Sequence, residues 1–401
     1  ALSILYRGKW VRIAALPRPR INPIVTVFRD KLIVLGGRNE KNKTTAAVVG
    51  FDFMTRRWQE LPPLRKEREG AACGVVGGKI IAGSDDGVVY CLNASDGELI
   101  WKKRVAPDDQ RVPGNGRMIS LWPVRTGVVV SKSVAYVTAG LFPSETSYVA
   151  ALKVSNGETI WKNSYGDMAP QGYLLASKDH LFVPASRSTP YVFDRRNGKR
   201  LRQLGGNSGT FALVTKDDLV FGPGKTGAMT EANESGAHVA SFAGQHMIVT
   251  RGVSYLHTTT ELSALRRERF LELTKERAEL NAHRGKLTES VATLSGADKK
   301  SAERELASSA ERLGEIEVDV RECILWRRVC DEPLDVILAG DALIAGGEDR
   351  IAAYSTKDGA KIWSAAVDGR AYGLAADGGP VGAVHRDDAR GALPPREISP
   401  G

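Results

Sequence analysis

Residues 148–163 read YVAALKVSNGETIWKN: a short alternating strand, a polar turn closing on Asn156-Gly157, and a second strand carrying a tryptophan four residues after the glycine. A tight hairpin needs positive-φ positions at its turn, which Asn-Gly and Asp-Gly supply. The unit recurs as VVYCLNASDGELIWKK at 88–103, YVFDRRNGKRLRQL at 191–204 and IAAYSTKDGAKIWSA at 351–365. Asp96-Gly97, Asn197-Gly198 and Asp358-Gly359 therefore predict three more hairpins. A second strand pair precedes three of these units: GGKIIAGSDDGVVY at 77–90, KDHLFVPASRSTPYV at 178–192 and GDALIAGGEDRIAAY at 340–354.

Four strands in about 40 residues are the size of one propeller blade. Such a meander cannot bury both of its faces alone; radial stacking on its neighbours does so, and closure removes the exposed sheet edges. Trp101, Trp161 and Trp363 fall on the outer strand of their blades, where a large ring fills the space between adjacent sheets. At Arg202 the tryptophan is replaced, which predicts a less apolar or locally rearranged edge.

Extending the pattern gives blades at about 22–60, 72–104, 118–164, 171–204, 209–240, 243–329 and 335–366. The N-terminal YRGKWVRI resembles the end of a hairpin with its outer strand, and GRAYGLAADGG near the C-terminus a first strand. Joined, they predict an eight-bladed, all-β propeller closed by residues near 5–12 pairing with strands beyond 366; seven blades is the alternative. The propeller occupies 1–260 and 321–377, and the Pro/Gly/charge-rich stretch 378–401 reads as an irregular tail.

The segment 261–320 interrupts this pattern with a composition rich in Glu, Arg, Lys, Ala and Leu. Leu273, Leu280, Leu287 and Leu294 recur every seven residues, and Leu306, Leu313 and Val320 repeat the spacing after the break SGADKK. Two helices folding back on one another bury both stripes, giving an antiparallel coiled-coil hairpin whose first helix, from about 262 to 294, is about 50 Å long. It stands where another blade has its Asp-Gly turn. An ordered arm of this length adds little to propeller stability, so its reading is a docking element for another protein, with a surface ornament as the alternative.

The 401 residues include 42 glycines and only 7% aromatics, which suits many short strands. No stretch is apolar enough for a membrane helix, and the opening ALSILYRGKWVRI lacks the long apolar run of a secretory signal. The net charge of +9 is uneven: 261–320 holds 11 basic and 13 acidic residues, 11 − 13 = −2, leaving the remainder at +11. A basic body attracts polyanions, but the charges are scattered without a Lys/Arg block, so solvated surface is the plainer reading. Cys73, Cys91, Cys323 and Cys330 form no CxxC motif. They read as buried thiols, with a Cys323–Cys330 bridge open in an oxidising compartment.

The repeated DGELIWKK, NGETIWKN and DGAKIWSA resemble the pyrroloquinoline-quinone (PQQ) repeat of the quinoprotein-like β-propeller superfamily. NGRMISLWPVRTGVVV, AGLFPSETSYVAAL, PQGYLLAS and VDGRAYGLAADG are similar to a group of PQQ-like repeat proteins associated with planctomycete bacteria. The resemblance covers roughly 70–370 outside the helices, while RDKLIVLGGRNEKNKTTAAVVGFDFMTRRWQEL at 29–61 looks kelch-like. It implies a propeller, a periplasmic or secreted setting, and either a quinone-dependent dehydrogenase or a cofactor-free scaffold. The dehydrogenases of the superfamily use PQQ with calcium and often vicinal cysteines, which are absent here.

A quinone site also needs a carboxylate base and an oxygen-rich calcium site. Asp85-Asp86 and Asp108-Asp109 are carboxylates in turn contexts, and the six histidines lack ligand spacing. No catalytic or metal residue is assigned, and no cofactor is expected. Residues just before inner strands converge on the central channel of a propeller: Asn115, Arg117 and Trp122; Gln171 and Tyr173; Asn207; Arg370 and Tyr372. They form either a funnel for a small polar or anionic ligand or the polar lining of a wet channel.

Overall fold

The computed structural model describes residues 2–386 except 7–8, 15, 19, 21–22, 29–30, 42, 65–72, 115–116, 186–187, 210, 216–217 and 377–380. The chain divides into two compact units, one of residues 16–256 and 265–324, the other of 1–15, 257–264 and 325–401.

Within the first unit five four-stranded antiparallel sheets follow one another in chain order. The first runs Ile24–Phe28, Lys31–Leu35, Val48–Asp52 and Arg57–Leu61; the second Cys73–Val76, Lys79–Gly83, Val88–Asn93 and Leu99–Arg104. The third comprises Val129–Ser131, Val134–Ala139, Ser147–Lys153 and Thr159–Tyr165; the fourth Leu175–Ala176, His180–Ala185, Ser188–Asp194 and Arg200–Gln203. The fifth is built of Phe211–Thr215, Asp218–Gly222, Ala228–Ala232 and His238–Ala243. A separate hairpin, Arg111–Gly114 with Arg117–Ser120, precedes the third sheet. That sheet therefore begins at Val129 rather than near 118, because RMIS pairs back onto RVPG instead of entering the meander.

The sixth sheet has the order His246–Val249, Ser254–His257, Glu261–Leu265, Ile324–Val329. The seventh carries five strands: Asp335–Ala339, Ala342–Gly346, Glu348–Ser355, Lys361–Ala376 and Val381–Arg386. Part of the stretch expected to be irregular from 378 is thus a strand; the long Lys361–Ala376 strand offers an open edge, and VGAVHR pairs along it. Residues 387–401 lie outside the described set. At the N-terminus Leu2–Tyr6 pairs with Lys9–Ala14 and runs beside Val381–Arg386.

The middle strands explain their own sequences. Lys79–Gly83 and Val88–Asn93 are buried almost throughout. Covered on both faces, such strands read as continuous apolar runs rather than alternating ones. The outer strand Thr159–Tyr165 alternates half-buried and exposed residues, and Trp101, Trp161 and Trp326 each seat on the next sheet, whereas Trp58 of the first sheet packs on Phe51 of its own. The Trp101 indole Nε1 donates to the Val154 carbonyl at 3.0 Å, Trp161 to Arg195 at 3.2 Å and Trp326 to Thr356 at 3.1 Å. Every acceptor lies three residues before the turn glycine, and the ring covers that glycine.

A Cβ built on Gly157 would fall 2.6 Å from Trp101 Cε3; the corresponding distances are 2.4 Å for Gly198 against Trp161 and 2.5 Å for Gly359 against Trp326. The turn thus needs glycine twice, for its positive φ of 74° and for the ring's approach. Substituting Gly157→Ala is expected to cost about 1–3 kcal/mol from the backbone alone, and more as the ring is displaced. A urea unfolding midpoint unchanged from wild type would remove the ring-on-glycine account. Trp326 carries no turn signal in the sequence, because helices stand where its Asp-Gly turn belongs.

Arg202 takes the tryptophan position in the fourth sheet: its stem crosses Gly236 and its guanidinium donates to the Glu234 carbonyl. This is the less apolar edge expected there.

Just before each such position the ladder skips one residue, leaving Ile100, Ile160, Leu201 and Ile362 unpaired and 40–58% exposed. These bulges turn the following side chain onto the sheet face and blunt the outer edge against further pairing.

The two helices, α1 (Arg267–Val291) and α2 (Gly296–Glu322), occupy 267–322 rather than 261–320. ELSAL at 261–265 alternates and is taken up as a strand. With 25 residues, α1 is about 37 Å long, shorter than the 50 Å expected.

Candidate functional site

The channel-mouth residues fall in different surroundings. Asn115 lies outside the described residues, and Arg117 and Tyr372 are placed only as backbone within strands. Trp122 is 7% exposed, donates its indole N–H to the Glu145 carbonyl at 2.6 Å and faces the Tyr148 ring, so it packs the core. Gln171 is exposed, and its backbone N–H is tied to the Pro184 carbonyl. Tyr173 is 69% exposed. Asn207 Nδ2 donates to the Ala228 carbonyl at 3.0 Å, as a loop-fixing amide does. Arg370, which belongs to the other unit, pairs with Glu348 at 3.4 Å. The carboxylates serve turns and ion pairs: Asp85 holds Arg125 at 2.9 Å, Asp86 accepts from the Tyr90 hydroxyl, Asp108 accepts from the Gln110 N–H, and Asp109 pairs with Arg104 and Arg111.

The helical hairpin is the most distinctive feature of the first unit. Its root is part of the core: Leu273, Ile316 and Cys323 are buried with Val220, Met229, Ala240, Phe242 and Met247. The Phe270 and Phe242 rings lie 5.3 Å apart. Arg266 N–H donates to the Cys323 carbonyl at 2.8 Å, closing the neck. Beyond the neck the helices pair in register, with Arg269–Asp319 at 3.2 Å, Arg312–Glu276 at 2.7 Å and His283–Glu305 at 2.8 Å, one rung every seven residues.

Leu280 and Leu287 are half-buried along α1, as the leucine spacing predicts, and Leu294 is half-buried just beyond its end. On α2 the buried line is Ala302, Ser309 and Ile316, beside the expected line Leu306, Leu313 and Val320, which is half-buried. Small side chains let the helices approach closely, and a leucine-only pattern search passes over them. Such exposed rungs add little stability but fix register.

At the root, Arg267 pairs with the fully buried Glu231 and also reaches Thr215 Oγ1 at 3.2 Å. Burial pushes the Glu231 carboxyl up, and Arg267 pulls it back only in part. A carboxyl raised on folding contributes stability at pH below its unfolded value and loses it as pH rises through the folded value. The stability difference of wild type minus Glu231→Gln should therefore grow as pH is lowered from 7 to 4. Denaturant titrations across that range check it; a difference that shrinks toward acid contradicts the assignment.

A second buried carboxylate sits in the other unit. Glu332 Oε1 accepts from Arg350 Nε at 3.0 Å and Lys361 Nζ at 3.3 Å; Oε2 accepts from the Tyr354 hydroxyl at 2.5 Å and the Cys330 thiol at 3.6 Å. Its backbone carbonyl lies 2.9 Å from His257 Nε2. Burial pushes the Cys330 thiol up to about 11, and burial with the Glu332 hydrogen bond raises the Tyr354 phenol. A thiol kept protonated is a poor nucleophile, so this cluster is a packed anchor. All four cysteines are free thiols, Cys91, Cys323 and Cys330 buried and Cys73 half-buried.

The sequence profile of the family described as outer membrane protein assembly factor BamB matches residues 46–205. The BamB of Alkalilimnicola ehrlichii is 28% identical over 125 residues, covering 31% of this chain and 29% of that protein. The crystal structure of BamB from Moraxella catarrhalis superposes with a TM-score of 0.55 at 12% identity, over 92% of this chain and 98% of that one. The chain is a β-propeller carrying PQQ-like repeats. Quinohemoprotein alcohol dehydrogenase from Comamonas testosteroni shares the propeller fold, with a TM-score of 0.56 at 10% identity over 91% of this chain and 70% of that one. This PQQ-like propeller spans less than a third of the length of the curated relatives it matches.

Among the described residues of the propeller, no three His, Cys, Asp or Glu side chains converge as metal ligands do. No described helix is long and apolar enough to cross a membrane.

Proposed function

We propose that this PQQ-like propeller is a non-enzymatic scaffold that holds a partner protein, with the α1–α2 hairpin as its docking element. One observation carries the reading: the hairpin is rooted in the fifth-sheet core by Leu273, Ile316 and Cys323, while its outer turns are exposed and held in register by hydrogen-bonded side-chain rungs. A surface ornament needs neither a buried root nor a fixed register. Pre-ordering lowers the entropy cost of binding, and the mixed charge of the arm suits a protein surface more than a polyanion. The likeness to outer membrane assembly factors supports a periplasmic or outer-membrane-associated setting.

The root changes how the reading is tested. Deleting 261–320 would uncover the fifth-sheet core and leave Glu231 buried without its arginine. Shortening the arm instead between Leu280 and Ser309, joined by a glycine-rich turn, keeps Arg267–Glu231 and the Arg312–Glu276 rung. The shortened protein is expected to unfold as wild type does and to lose the partner that the intact protein captures. Equal capture by both would move the docking site to the blades.

A further inference from the structure

Where the first and second sheets meet, the tryptophan seat is present and the tryptophan is not. Around Trp101 the next sheet supplies Val137, Ala150, Leu152 and Gly157; around Trp161 it supplies Val183, Tyr191, Phe193 and Gly198. Counting back from each glycine, the second sheet offers Ala82, Tyr90, Leu92 and Gly97 at the same places, with Ala82 paired to Tyr90 as Val137 is to Ala150 and Val183 to Tyr191. The residue that should cover this seat belongs to the first sheet. There the strand Arg57–Leu61 pairs without a bulge, and the position opposite Gly50 that corresponds to Trp101 and Trp161 is the exposed Gln59.

The consequence is a cavity of about 270 Å³ walled by Ala82, Tyr90, Leu92 and Leu99, with Leu35 and Pro62 facing them. Gly97 is half-exposed, whereas Gly157, Gly198 and Gly359 are buried beneath their indoles. The nearest group to a Cβ on Gly97 is the Pro62 carbonyl at 3.4 Å, not a ring. Leu64, buried in the same cluster, covers part of the seat. The adjoining segment 65–72 reads RKEREGAA and carries no aromatic residue.

We propose that this cavity is a binding site for a planar aromatic ring bearing an N–H donor, of the indole type, supplied from outside the chain. The wall is the surface on which this protein seats its own indoles at three other junctions. The acceptor that an entering N–H would meet is the Ala94 carbonyl, three residues before Gly97 as Val154 and Arg195 are before Gly157 and Gly198. Leu35, Leu64, Leu92 and Leu99 give the cavity a largely apolar wall, with Glu98 also lining it; a mostly apolar pocket with few placed polar groups is what a small aromatic site requires. The site is on the propeller body and stands apart from the hairpin reading, so either can fail alone.

The test is a titration of the full chain, with leucine methyls labelled, against free indole and against N-acetyl-tryptophanamide. Saturable shifts are expected at Leu35, Leu64, Leu92 and Leu99, and at no leucine of α1 or α2. Shifts with free indole alone assign the site to a free aromatic ligand; shifts with both assign it to a tryptophan side chain. Methylating the indole nitrogen should weaken binding several-fold, since one hydrogen bond is lost. Ala82→Phe, which fills the seat, and Leu64→Trp, which supplies an indole in cis, should each abolish the shifts, with circular dichroism reporting the fold. Wild type that shows no shift with either probe, or shifts that persist in a folded Ala82→Phe or Leu64→Trp protein, would overturn the assignment.

Discussion

Replacing Trp101 with alanine is expected to destabilise the protein by about 3–5 kcal/mol, the range for truncating a buried aromatic side chain. The ring sits in a cluster drawn from both the second and third sheets, with Ile81, Val89 and Cys91 on one side and Ala135, Val137 and Leu152 on the other. Its loss opens a cavity between two sheets that neither can close alone, and it leaves the Val154 carbonyl without its indole donor. Burying such a ring contributes roughly 5 kcal/mol before entropy is counted. Denaturant unfolding gives the measurement, and Trp101→Phe should recover part of the loss by refilling volume without the hydrogen bond. A midpoint for Trp101→Ala within experimental error of wild type would mean that the sheets are held by something other than the seated indole.

Glu332→Ala is expected to cost a similar 3–5 kcal/mol by a different route, because truncating one partner of a buried ion pair strands the others. Tyr354 is almost fully buried and loses its acceptor, and Cys330 loses one of its contacts. Arg350 and Lys361 are partly exposed and recover some hydration, which keeps the cost toward the lower end. Glu332→Gln should be milder, since the amide oxygen still accepts from Tyr354. The check is to unfold both variants beside wild type. Equal stability of Glu332→Ala and Glu332→Gln would show that the Tyr354 contact contributes nothing.

The periodic features of the fold were legible because they are local. Asn156-Gly157 and its relatives announce hairpins through backbone chemistry, and Trp101 and Trp161 mark the outer strands by their distance from the glycine. Trp326 lay hidden because α1 and α2 displace the turn that would have flagged it. The strand Val381–Arg386 was passed over because a short stretch beside Pro and Gly shows no strand signal until an open edge is there to pair with it. On α2, Ala302 and Ser309 are small and one is polar, so leucine spacing marks the neighbouring line instead. The Arg267–Glu231 and Glu332 anchors join residues far apart in sequence, and no spacing rule links them. The channel-mouth residues came from topology alone, which orders loops but does not say which side chains are already used; Trp122 and Asn207 are engaged in packing and loop hydrogen bonds.

The central claim is that the outer turns of the α1–α2 hairpin touch a partner protein while the blades present them. A photo-crosslinking residue placed at exposed positions answers it most directly: Lys286 on α1 and Lys299 on α2, compared with Lys132 and Lys178 in the turns of the third and fourth sheets. One discrete adduct, of the same mass, is expected from both hairpin positions and none from the two turn positions. Adducts from Lys132 or Lys178 with none from the hairpin would contradict it.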